Sequence, residues 1–206
     1  MLAAGRAARR DLTVACVLRS GGDFGTDYVE QLRDGVARHL TLPHRFVCLS
    51  DLEQLPVERL PLRREWPGWW SKLELFEQLT GPTLYLDLDT VIVGSIDELA
   101  DYPHRFSMLS DFGRPGSCAS GVMAWSGDWS HITAGFDLER AADYQASDRW
   151  GDQAWIAERV GIAPERLQEL FPRHIVSRKF GPRWPGLERV VCFHGQPRPR
   201  DVGWSV

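Results

Sequence analysis

Asp87 and Asp89 interrupt the apolar run LYLDLDTVIVGSIDEL, residues 84–99. On a strand, residues i and i+2 face the same way, roughly 7 Å apart at Cα, so the spacing predicts two carboxylates pointing together. Two carboxylates on one face of a buried strand repel each other and are poorly solvated. A hard divalent cation removes both problems. Magnesium or manganese accepts carboxylate oxygens and keeps positions open for phosphate oxygens. The competing account ends the strand at Asp87 and leaves both groups solvated in a turn. Lys72 stands out by composition, because the chain has only two lysines, Lys72 and Lys179. It falls in the first turn of a predicted helix, where a cation opposes the helix dipole at a cost of up to ~1 kcal/mol. A pyrophosphate at that helix end would reverse the local field. A solvated surface lysine is the plain alternative.

These residues need a scaffold, and the pattern predicts a parallel α/β one. TVACVL (13–18) is an apolar run of strand length followed by the glycine-rich loop RSGGDFGT. Val29, Leu32, Val36 and Leu40 then recur at helical spacing, with Asp27 and Glu30 as a capping box. HRFVCLSD (44–51) reads as a second strand, giving strand, helix, strand. Residues 51–70 read as loop. Ser71 and Glu74 read as a second capping box, over a helix whose apolar stripe is Leu73, Phe76 and Leu79 and which Gly81-Pro82 ends. TLYLDLDTVIV is the third parallel strand, and FSMLSDF (106–112) and ASGVMAWS (119–126) are further strands. ASDRWGDQAWIAERVG reads as a loop feeding a helix, APERLQELF as a short helix, and RHIVSRKF and RVVCFHG as late strands.

The totals exclude several classes. The 206 residues suit one domain spanning 1–206, and the net charge of -4 advertises no nucleic-acid partner. Cys16, Cys48, Cys118 and Cys192 form no CxxC pair, so buried free thiols in a reducing compartment are expected. The N-terminal MLAAGRAARRDL is basic without the apolar core of a secretory signal. No run approaches the ~20 apolar residues of a membrane span. A soluble, cytoplasmic protein without an integral membrane segment is the expectation.

Five segments in order carry a resemblance. WSKLELFEQL, LYLDLDTVIVGSIDEL, ASGVMAWS, GDQAWIAE and CFHGQPRPR resemble, in turn, the basic segment, the DxD strand, the N-S-G-V strand, the D-Q helix start and the closing H-x-x-G-x-x-K-P-W segment of the glycogenin-like family-8 glycosyltransferases. A phosphatase of the haloacid-dehalogenase type is the weaker match, because Thr90 follows Asp89 directly where those enzymes have DxDGT. The resemblance implies a GT-A-like, Rossmann-type α/β fold: a mostly parallel sheet, helices on both faces and a small C-terminal mixed part. It implies a metal-dependent transferase moving a sugar from a nucleotide sugar, a UDP-sugar by analogy, with retention. The acceptor stays open between glycan, protein and small molecule.

The same resemblance distributes roles. Manganese or magnesium would be held by Asp87, Asp89 and a histidine. The strict register puts Cys192 at that histidine's position, but a thiol is a poor partner for a hard ion, so His194 is the expected ligand. Asp152 and Gln153 carry the D-Q pair near the transferred sugar, unless Asp152 simply caps its helix. Lys72 and Arg198 would meet the diphosphate, Arg198 standing for the lysine of K-P-W and Arg200 for its tryptophan. Ala119 replaces asparagine, while Ser120 and Gly121 remain, and Gly195 keeps the closing glycine. Arg19, Ser20, Tyr28 and Asp51 are candidates for holding the nucleotide. For Tyr28, helix packing is the competing account, and for Asp51 a turn. Trp66, Trp69 and Trp70 precede Lys72 and are either sugar-stacking or core rings. A non-catalytic nucleotide-sugar binder on the same fold is the rival reading.

Overall fold

The computed structural model describes residues 12–146, 150–182 and 185–204. The N-terminal residues 1–11, read above as lacking a signal, lie outside the described residues, as do 147–149 of the loop expected before Gly151. Strand β1 (Leu12–Leu18) leads into helix α1 (Thr26–His39) and strand β2 (His44–Ser50). β1 and β2 pair in parallel from Leu12–His44 to Leu18–Ser50, the unit that the periodicity predicts. The expected box on α1 is absent: its N-cap is Gly25 and no side chain caps it. A Cβ at Gly25 would stand 2.6 Å from Asp27 Oδ1, so glycine makes room for that carboxylate.

The stretch expected as loop contains β3 (Glu58–Pro61), an edge strand parallel to β2. The expected helix over 71–79 is also different. A 3-10 turn over Gly68–Glu74 passes into the short helix α2 (Leu75–Gln78). Ser71 does not cap; its hydroxyl donates to the Gly68 carbonyl at 2.7 Å. Glu74, fully buried, accepts the N–H groups of Arg63 and Arg64 at 2.6 and 3.0 Å. Loop anchoring by Glu74 replaces the predicted capping box.

β4 (Thr83–Leu86) joins β1 in parallel, as expected. The long strand predicted over TLYLDLDTVIV breaks there, because the Asp87 carbonyl accepts the Thr90 N–H at 3.0 Å and β5 (Thr90–Ile92) departs into a second sheet. Asp87 and Asp89 therefore do not share one strand face, and a turn brings them together instead. The strand does end at Asp87, but the pair is not left in water, since the Asp89 side chain is only 15% exposed.

The chain continues through α3 (Asp97–Asp101), β6 (Phe106–Ser110), β7 (Cys118–Trp125), α4 (Leu138–Ala146) and α5 (Asp152–Arg159). The segment expected as one helix, APERLQELF, starts as β8 (Glu165–Arg166) beside β6 and only then becomes α6 (Leu167–Leu170). β9 (Ile175–Ser177) and β10 (Val190–Cys192) complete it. β10 stops at Cys192, so the strand expected over RVVCFHG ends before His194.

Among the described residues the larger sheet runs β3-β2-β1-β4-β7-β6-β8 and the smaller one β5-β10-β9. β7 is antiparallel to both β4 and β6, and the other pairs of the larger sheet are parallel. Alternation sorts the central strands onto two cores. Val14, Cys16, Leu84, Leu86 and Val122 pack with Val29, Leu32 and Val36 of α1. Ala15, Tyr85, Met123 and Trp125 face Trp70, Phe76, Trp155 and Ile156 on the other side. The result is the expected α/β layering, with helices on both faces of a mostly parallel sheet and a small mixed sheet at its end. No described helix is long and apolar enough to cross a membrane.

Strand order reverses between β1 and β4: β1 has β2 on one side and β4 on the other. In open α/β sheets such a reversal splays the loops at the strands' carboxyl ends and leaves a crevice there.

Candidate active site

That crevice is present. A cavity of about 570 Å³ opens at the carboxyl ends of β1 and β4, lined by Arg19, Lys72, Asp87, Asp89, Gly121, His194, Gly195 and Arg198, with Phe24, Trp69 and Tyr85. Of the other residues singled out from the sequence, Ser120 and Asp152 bond Lys72 behind this wall, Ser20 and Asp51 adjoin Arg19, and Tyr28 packs on Phe24, whereas Gln153 lines a separate cavity with Arg114 and Cys118.

Alternation along β4 turns Tyr85 and Asp87 toward the 3-10 turn that carries Lys72. Lys72 is neither solvated nor at a helix N-terminus, as either sequence account required; it is 5% exposed. Its Nζ lies 3.0 Å from Asp87 Oδ1 and 3.1 Å from Asp152 Oδ2. It also donates to Ser120 Oγ at 3.1 Å, and that hydroxyl donates to Asp152 Oδ2 at 2.7 Å. Burial works to discharge the ammonium, but Asp152 and Asp87 outweigh it and hold its pKa above the ordinary lysine value. Tyr85 adds its hydroxyl to Asp87 Oδ1. Asp152 is the first residue of α5 and a member of this network, and Gly151, not Asp152, is the N-cap.

Asp89 has a second cation. Arg198 Nη1 donates to Asp89 Oδ2 at 2.7 Å and Nη2 to Asp23 Oδ2 at 2.9 Å, while the guanidinium carbon lies 4.4 Å from the Phe24 ring centroid. The tail is thus docked rather than loose: the Arg198 N–H donates to Asp201, opening a 3-10 turn over Pro199–Val202. Burial first, then the charge of Asp87, push Asp89 up to about 7 against the pull of Arg198 and Lys72. Gly121 presses from β7: its carbonyl accepts the Asp87 N–H at 2.8 Å, and an added Cβ would sit 3.3 Å from Asp87 Oδ2.

His194 packs against Phe112, with ring centroids 5.2 Å apart. Its Nε2 is buried and has no hydrogen-bond partner among the described residues. Burial, then the charge of Lys179, pulls the imidazole below its ordinary value, so it is neutral at pH 7 with a lone pair to offer. Burial and the two aspartates push the Cys192 thiol well above its ordinary value, which keeps it protonated.

The remaining expected residues are spoken for otherwise. The Asp51 carboxylate is taken by the Ser20 N–H at 2.9 Å and the Ser20 hydroxyl, with Arg19 Nε 3.6 Å away. Tyr28 is 1% exposed and edge-on to Phe24, so it packs the helix and offers no open face to a base. Gln153 Nε2 donates to Asp111 Oδ2 at 3.2 Å, and Arg114 Nη2 reaches the same oxygen at 2.7 Å. Trp66 and Trp70 are buried, whereas Trp69 is 53% exposed. Sequence reasoning missed Tyr85, Asp23 and Asp111. For Tyr85 a signal existed, since it precedes Asp87 by the strand period.

Two carboxylates and a neutral imidazole make a donor set suited to a hard divalent ion, and the orphaned Nε2 of His194 on the same cavity fits one. The described residues nevertheless hold no three His, Cys, Asp or Glu groups already converged on one point. Arg198 and Lys72 supply the positive charge instead.

No protein-family model and no curated protein matches the chain. Solved structures do. A complex of the galactosyltransferase LgtC with donor and acceptor sugar analogues superposes with a TM-score of 0.63 at 13% identity, covering 91% of this chain and 88% of that one. The apo-form glycosyltransferase GlyE of Streptococcus pneumoniae TIGR4 gives 0.62 at 13% identity, covering 92% of this chain and 56% of that one. A second GlyE structure gives 0.57 at 13% identity, over 79% and 46%. The chain spans about half the length of the GlyE structures it matches. The fold is that of GT-A-like glycosyltransferases.

Proposed function

We propose that this chain transfers a glycosyl group from a nucleoside-diphosphate sugar, a UDP-sugar, to an acceptor hydroxyl. The observation that carries the reading is the cavity at the β1/β4 reversal, where two acids and two cations meet. In transfer, the bond from the anomeric carbon to the diphosphate oxygen breaks and its electron pair stays on that oxygen. The acceptor oxygen bonds to the anomeric carbon, and its proton passes to the departing diphosphate. The chief demand on the protein is to stabilise the charge that appears on the leaving group.

Arg198 sits in the cavity wall with guanidinium donors near that charge, and its planar fork suits phosphate oxygens. Lys72 lines the same cavity, and its ammonium fixes Asp87 and Asp152 in place. Asp152 and Gln153 open α5, with Asp152 bonded to Lys72 of the cavity wall, and they would orient the sugar and its reacting carbon. Gly121 and Gly195 let the ligand approach the backbone closely. Manganese or magnesium would be held by Asp87, Asp89 and His194, and when bound it would neutralise the diphosphate. Retention at the anomeric carbon is part of the proposal and rests on the sequence resemblance.

One observation favours a second reading, a non-catalytic nucleotide-sugar binder: both acids are already paired with protein cations. A thermal-shift screen of nucleotide sugars with and without manganese identifies the donor under either reading. Hydrolysis of the selected sugar then separates them. Turnover that requires manganese and disappears in Asp89→Asn supports the transferase; binding without turnover supports the binder.

A further inference from the structure

Arg198 is seated on the acid pair without being satisfied there. Its Nη1 and Nη2 donate to Asp89 and Asp23, yet Nε is buried and finds no acceptor among the described residues. A buried N–H left without an acceptor is costly. In the same cavity His194 has the opposite deficit, a buried Nε2 lone pair with no partner among the described residues. One donor and one acceptor therefore wait in a single site, and neither serves the other.

The backbone that carries Arg198 is fixed. The Arg198 N–H donates to Asp201 Oδ2 at 2.8 Å and Pro199 is buried. Beyond them Val202 and Trp204 pack against Val91, Val176, Val191 and Phe193, with the Phe193 and Trp204 ring centroids 5.5 Å apart. The guanidinium hangs from this seat on its aliphatic stem. It lies over the Phe24 ring and also reaches Asp23, whose side chain is 64% exposed and so is held by little else. A side chain anchored at its base can change partners at its tip while the tail stays docked.

A divalent ion cannot simply join this arrangement. Asp89 Oδ2 is taken by Arg198 Nη1, and Asp87 Oδ1 by Lys72. An ion added beside the guanidinium would set like charges together in a shielded pocket, where they repel strongly. Resting on the transferase reading, we propose that Arg198 is the resident counter-ion of Asp89, that it yields this carboxylate to the divalent ion, and that it takes diphosphate oxygens of the nucleotide instead. No covalent bond changes. The exchange offers Nε an acceptor and gives the His194 lone pair a cation. It also makes metal and nucleotide cooperative. The ion alone has to displace Arg198 from its strongest partner, whereas with a diphosphate present the guanidinium has another anion to bind. By reciprocity the ion strengthens nucleotide binding by the same factor.

The test is a manganese titration of the full chain, followed by the paramagnetic-resonance signal of the free ion, with and without UDP and corrected for the manganese–UDP complex formed without protein. Without UDP, Arg198→Ala should bind manganese about tenfold tighter than the unaltered chain. UDP should tighten manganese binding about a hundredfold in the unaltered chain and about tenfold or less in Arg198→Ala. Adding Asp89→Asn to Arg198→Ala should remove the gain, which locates the ion. Arg198→Lys guards against loss of fold: it keeps one positive charge but lacks the fork that bridges Asp89 and Asp23, and it should bind manganese about threefold tighter without UDP. Manganese affinity in Arg198→Lys and Arg198→Ala no higher than in the unaltered chain, or the same UDP enhancement in all three, overturns the exchange and leaves the transferase reading standing. No manganese binding by any sample also overturns it. Tighter manganese binding in the variants with no UDP binding by any sample removes the transferase reading and keeps the competition at Asp89.

Discussion

Arg198 Nη1 stands 2.7 Å from Asp89 Oδ2, joining side chains 109 residues apart and seating the C-terminal segment on the acid pair. The contact joins a guanidinium to a carboxyl group and is largely shielded, at 13% and 15% side-chain exposure. Removing one partner of such a pair costs more than the pair contributes, because the other charge is stranded. Arg198→Ala should therefore destabilise the protein by about 2–4 kcal/mol in urea denaturation. Asp89→Asn should cost less, since burial already favours the protonated acid. Equal or negligible effects would refute this account of the contact.

Lys72 neutralises two buried acids at once. Lys72→Met should leave Asp87 and Asp152 uncompensated and lower stability by about 3–5 kcal/mol. Adding Asp152→Asn to Lys72→Met should recover part of that loss, and a double-mutant cycle measures the coupling. Strict additivity would mean the contacts at 3.0 and 3.1 Å carry little energy.

Gly151 is constrained twice, by its φ of +70° and by Trp69. Gly151→Ala should cost about 1–2 kcal/mol from the backbone alone. It should also displace the Trp69 indole, seen as a change in tryptophan fluorescence. An unchanged melting temperature and spectrum would show that Gly151 is not held as described.

Asp111 links stability to pH. Burial opposes its ionisation, but the Gly113 N–H and Arg114 outweigh burial and hold the carboxyl below its ordinary value. The folded state thus binds this proton less readily than the unfolded state. The stabilisation is present above the unfolded value, near pH 4, and is lost as pH falls through the folded value. Asp111→Asn should be less stable than the parent at pH 7 and should lose less between pH 4 and pH 2. Parallel stability curves for the two proteins over that range would contradict the assignment.

Much of the frame was legible in the chain. Val29, Leu32 and Val36 at helical spacing, set between two apolar runs of strand length, determine the β1–α1–β2 unit, because burying one helix face between parallel strands leaves few alternatives. The chemistry-bearing types were legible too: seven of the residues singled out as site candidates line the cavity together with Asp87. What failed were local rules that tertiary contacts overrode. Ser71 and Glu74 match a capping box, yet Glu74 is committed to the Arg63 and Arg64 amides of a loop that no periodicity marks.

The sequence by itself determined that two acids interrupt an apolar, strand-forming run, with a scarce lysine and a late basic segment available to them. Only the tertiary structure decided how they meet. The turn after Asp87 carries Asp89 toward a second sheet, a 3-10 turn buries Lys72 between Asp87 and Asp152, and the tail delivers Arg198 to Asp89. The physical reason is one of range. Periodicity encodes which face a residue shows to its near neighbours, whereas an ion pair is chosen by whichever opposite charge the completed fold brings within about 3 Å in a site poor in water.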